Sequence, residues 1–71
     1  MRKQIIEFWE NITEQNQQKV YDSMTSFFIK NHGYKVVGKG VNSLVYSIWQ
    51  FIDCTVYLEL HGDECYYLFI D

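Results

Sequence analysis

The stretch "TVYLELHGDECYYLFI", residues 55–70, leaves the chain few folding options. Two runs of β-branched, aromatic and aliphatic residues flank Gly62-Asp63. Runs of this kind separated by two turn residues read as an antiparallel hairpin, and glycine at the first central position suits a type II′ reversal. Pairing His61 with Glu64 sets the register. Leu60 then faces Cys65, Leu58 faces Tyr67, Val56 faces Phe69 and Cys54 faces Asp71. Side chains alternate along a strand, so this set shares one face, the face expected to meet a core. The opposite face holds Thr55, Tyr57, Glu59 and His61 on one strand and Glu64, Tyr66, Leu68 and Ile70 on the other. The last strand is therefore apolar on both sides.

A lone hairpin is marginal in water, so the rest of the chain must supply a second layer. Upstream, Ile5, Phe8, Trp9 and Ile12 recur at the spacing of one helical face, which predicts a helical segment over about residues 3–10. Val20, Met24, Phe27 and Phe28 make a second stripe, extended by Gln17 and Asn31 and flanked by Tyr21, which predicts a helix over about residues 12–31. Asn11 and Glu14 have capping-box spacing and place the break between the segments near Asn11. An unbroken helix over 3–31 is the alternative. "KNHG" ends the second segment, with Gly33 expected as its left-handed terminator and Lys30 and His32 complementing the carbonyl end of the dipole.

Beyond Gly33 the pattern changes. "YKVV" reads as a short strand and "GKGVN" as a turn region. In "SLVYSIWQF" Val45, Ile48, Trp49 and Ile52 fit a helical face, but the β-branched and aromatic composition favours a strand. The expected fold is a single α+β domain over residues 1–71, with two layers. Its N-terminal helical segments pack on a C-terminal antiparallel β-meander of three to four strands.

A domain of this size is short of core, and large rings are its main resource: five Phe, six Tyr and two Trp. Some are surplus to one small core. Tyr57, Tyr66, Leu68 and Ile70, joined by Tyr46 or Trp49 and rimmed by Glu59 and Glu64, are the candidate partner-binding residues. A contiguous apolar patch on a sheet face marks an interaction site. The expected occupant is a protein partner, with a second copy of the chain, as a homodimer, among the candidates. The N-terminal segment folding over this face as a third layer is the competing reading.

Other chemistry finds little support. Cys54 and Cys65 share a face but lie about 20 Å apart along the ladder at ~3.3 Å per residue, so a disulfide is not expected and both read as buried thiols. No ligand spacing points to a metal, no nucleophile has an oriented base, and Gly38-Lys39-Gly40 lacks the rest of a phosphate loop. Neither an enzyme nor a cofactor is expected, nor a small-molecule substrate. The formal net charge of −3, with no basic run longer than Arg2-Lys3, speaks against nucleic acid. Single-stranded binding by stacked rings remains the alternative function, together with a purely structural homodimer. The start of the chain lacks an apolar signal core and no stretch suits a membrane span, so a cytoplasmic protein with no membrane partner is expected.

Overall fold

A computed structural model of the chain describes residues 1–12 and 15–71. Helices α1 (Arg2–Ile12) and α2 (Gln17–Lys30) precede strands β1 (Tyr34–Val41), β2 (Leu44–Gln50), β3 (Thr55–His61) and β4 (Glu64–Phe69). The strands pair antiparallel in the order β1-β2-β3-β4, a meander, and both helices lie against one face of the sheet.

The helix boundaries follow from side chains that supply the missing backbone partners. Asn16 is extended (ψ 155°), and its side chain accepts from the Lys19 N–H at 3.0 Å, so the cap of α2 is Asn16 and not Asn11. Asn11 lies inside α1 and donates to the Glu7 carbonyl, while Glu14, the other half of the expected capping box, lies outside the described residues. The extended Asn16 also rules out one helix over 3–31. At the other end of α2 the left-handed residue is His32 (φ 65°), where Gly33 was expected. His32 N–H donates to Ile29 O and Gly33 N–H to Phe28 O, a Schellman closure with His32 at its turning point. Gly33 serves a different need. A Cβ there would sit 2.7 Å from the Phe51 ring and 2.8 Å from Phe28 O.

Residues 44–50 are strand, which decides the ambiguous segment. The expected "GKGVN" turn shrinks to Asn42-Ser43, with Asn42 at φ 56°, and the glycines and Lys39 belong to β1. A bulge at Val36 lets Lys35 pair with Trp49 and Val37 with Ile48. The last hairpin has the register expected from Val56–Phe69 to His61–Glu64, and Gly62 turns it at φ 64°. Gly62 N–H donates to Ser43 O at 2.9 Å, tying the two hairpin turns together at one end of the sheet.

The core forms where the helical stripes meet the inner sheet face. Ile5, Val20, Met24 and Phe28 pack on Val56, Leu58, Leu60 and Cys65, with Phe8, Trp9, Tyr67 and Phe69 closing its margin. Trp49 belongs here and not to the exposed patch, since it is 2 % exposed. Tyr46 and Trp49 are three residues apart on one strand and so must face opposite ways. The indole N–H donates to Ser47 Oγ at 2.7 Å, and that hydroxyl also meets Tyr21 OH at 3.1 Å, so the two buried polar groups satisfy each other. Cys54 and Cys65 are free and buried, and loss of solvent pushes the Cys65 thiol up to about 11.

Candidate interaction surface

The strand pairings put Tyr46, Ile48, Tyr57, Tyr66 and Leu68 side by side on the outer sheet face. No helix covers this face. α1 stays on the core side: Trp9 meets the Tyr67 ring edge-on at 5.0 Å, Phe8 stacks on Phe27 at 4.1 Å, and Arg2 lies 4.6 Å over Phe69. Ile5, Phe8 and Trp9 therefore do not form the third layer considered above. Leu68 is 53 % exposed and Tyr66 46 %, and Ile70 is similarly open, so the apolar excess of β4 faces solvent. Glu64 sits exposed at the turn end of the same face.

Two rows of directly paired residues organise the surface. One runs Lys39–Tyr46–Glu59–Tyr66 across all four strands, and the next runs Val37–Ile48–Tyr57–Leu68. Tyr46 and Tyr57 stack with centroids 5.6 Å apart, and Tyr57 and Tyr66 lie 6.4 Å apart. Glu59 is only 9 % exposed. Flanking tyrosine rings shield it, one side-chain layer deep. Tyr57 OH donates to Glu59 Oε1 at 2.5 Å. That bond, aided by the Tyr66 hydroxyl and the His61 charge, outweighs desolvation and holds the Glu59 carboxyl below its ordinary range. Tyr57 shifts the opposite way: desolvation first, then its bond to the carboxylate, push the phenol well up. Tyr66 is raised mainly by its bond to Glu59. Glu59 was expected at the rim, but it stands at the centre of this ring cluster. The signal that could have located it is its alignment between Tyr46 and Tyr66, which requires the β2–β3 register as well as the last hairpin.

β4 is also a sheet edge. Ile70 N–H donates to Thr55 O at 3.0 Å, and hydrogen-bonding alternates along an antiparallel pair, so the backbone of Tyr67 and Phe69 points away from β3. The Cys65 N–H on that side is taken by Gln17 Oε1 at 2.9 Å. Ile6 and Trp9 of α1 wall a shallow groove against Tyr66, Tyr67, Leu68 and Phe69. Among the described residues no group of three or more His, Cys, Asp or Glu could hold a metal ion, and no helix is long and apolar enough to cross a membrane. No family model, curated protein or solved structure matches the chain.

Proposed function

We propose that this chain is a small non-enzymatic protein-binding module, an adaptor, regulator or inhibitor that docks a partner on its outer sheet face. The observation that carries the reading is a sheet with both helices on one side and Tyr46, Tyr57, Tyr66, Leu68 and Ile70 grouped on the other. Tyrosine combines a broad apolar body with a polar tip and is enriched in the energetic centres of interfaces. A carboxylate amid the rings favours a protein partner over a nucleic-acid strand, whose phosphates it would repel. The test is affinity capture with wild type and the Tyr66→Ala, Leu68→Ser double variant in parallel. Both positions are exposed, so the variant keeps its thermal midpoint to within a few degrees while losing the partner. A partner held equally by both proteins overturns the reading.

Self-association is a second reading, favoured by the open backbone of β4, because an exposed edge can pair with a copy of itself. Sedimentation over a concentration series distinguishes it: a dimer that dissociates in the double variant supports it, and a monomer throughout excludes it.

A further inference from the structure

We infer that the outer face receives a cationic side chain, an arginine presented by a basic segment of the partner, on Glu59 within the ring of Tyr46, Tyr57 and Tyr66. This rests on the docking reading above and specifies the partner's chemistry.

Glu59 is shielded from water, yet no Lys, Arg or His nitrogen among the described residues lies within ion-pair distance of it; the cations that do pair reach Asp53 and Asp71. A shielded carboxylate without a counter-charge is costly unless something else compensates it. Here Tyr57 does so at Oε1, aided by the Tyr66 hydroxyl, and a carboxylate offers about four acceptor positions. Two phenols leave acceptor capacity for a further donor. The other charged groups on this face are Lys39, beyond Tyr46, and His61 and Glu64 at the turn end. Three electron-rich rings surround the carboxylate, and a cation near their faces gains further attraction. Arginine suits the site better than lysine, because its planar, weakly hydrated guanidinium can stack on a phenol and bond a carboxylate through two N–H groups at once. Tyr66, 46 % exposed, is the most open of the three rings. The depressed carboxyl of Glu59 keeps it ionised and receptive throughout the neutral range.

The experiment uses the full chain, labelled with nitrogen-15, titrated at low ionic strength with a short acetylated Arg-Ser repeat peptide and with its citrulline counterpart. Saturable shifts at Tyr46, Glu59 and Tyr66 are expected for the arginine peptide. Glu59→Gln, which retains an acceptor for Tyr57, should weaken binding about tenfold or more, as should citrulline. Spectral dispersion shows whether the variant is folded. Equal affinity for both peptides, equal affinity of wild type and Glu59→Gln, or shifts that follow protein concentration instead of peptide each overturn the inference. If Glu59→Gln keeps a captured partner that Tyr66→Ala, Leu68→Ser loses, docking stands and the arginine contact falls.

Discussion

Gly33 shows how much can depend on one absent methyl group. Its Cβ would meet the Phe51 ring and the Phe28 carbonyl at once, both closer than real contacts allow. Gly33→Ala should lower stability by about 1–3 kcal/mol, the usual cost of overpacking, read as a fall in urea midpoint at unchanged slope. The Tyr57–Glu59 bond allows a second prediction at this scale. Tyr57 should be the last tyrosine to ionise in an alkaline absorbance titration, and Glu59→Gln should bring it back toward its ordinary value. A phenol raised by folding adds stability below its unfolded value near ~10, and that stability is lost as pH rises beyond it.

Helix α2 depends on its first turn as well as its buried stripe. Asn16→Ala removes the acceptor for Lys19 N–H and should cost about 1 kcal/mol in chemical denaturation. The same helix shows where sequence reasoning stops. The stripe of Val20, Met24 and Phe28 was visible because period alone determines which face is buried. That Asn16 and not Asn11 caps it was not, since both side chains offer the same acceptor. The last hairpin was legible residue by residue because its turn sets the register. β2 was not, because Trp49 satisfies a helical stripe and a strand core equally well until neighbouring strands fix its parity. The candidate surface shared that limit: Tyr57, Tyr66 and Leu68 came from one hairpin, whereas the central position of Glu59 needed a third strand.

As a whole, the molecule should lose stability on the acid side. Asp71 accepts from the Thr55 N–H at 2.8 Å and from its hydroxyl at 3.0 Å, and these bonds, the backbone one first, hold its carboxyl below the ordinary range. Glu59 is depressed as well. A carboxyl lowered by folding stabilises the native state above its unfolded value, near ~4, and ceases to do so as pH falls through its folded value. Thermal midpoints should therefore decline below that range, and Asp71→Asn should make the decline shallower. The tie from Gly62 N–H to Ser43 O has its own consequence for the complete sheet. That amide lies at an exposed tip, yet it is protected only while two separate reversals stay docked. Its deuterium uptake thus offers a single-proton clock for the opening of the meander, slow where a loop position would ordinarily be fast.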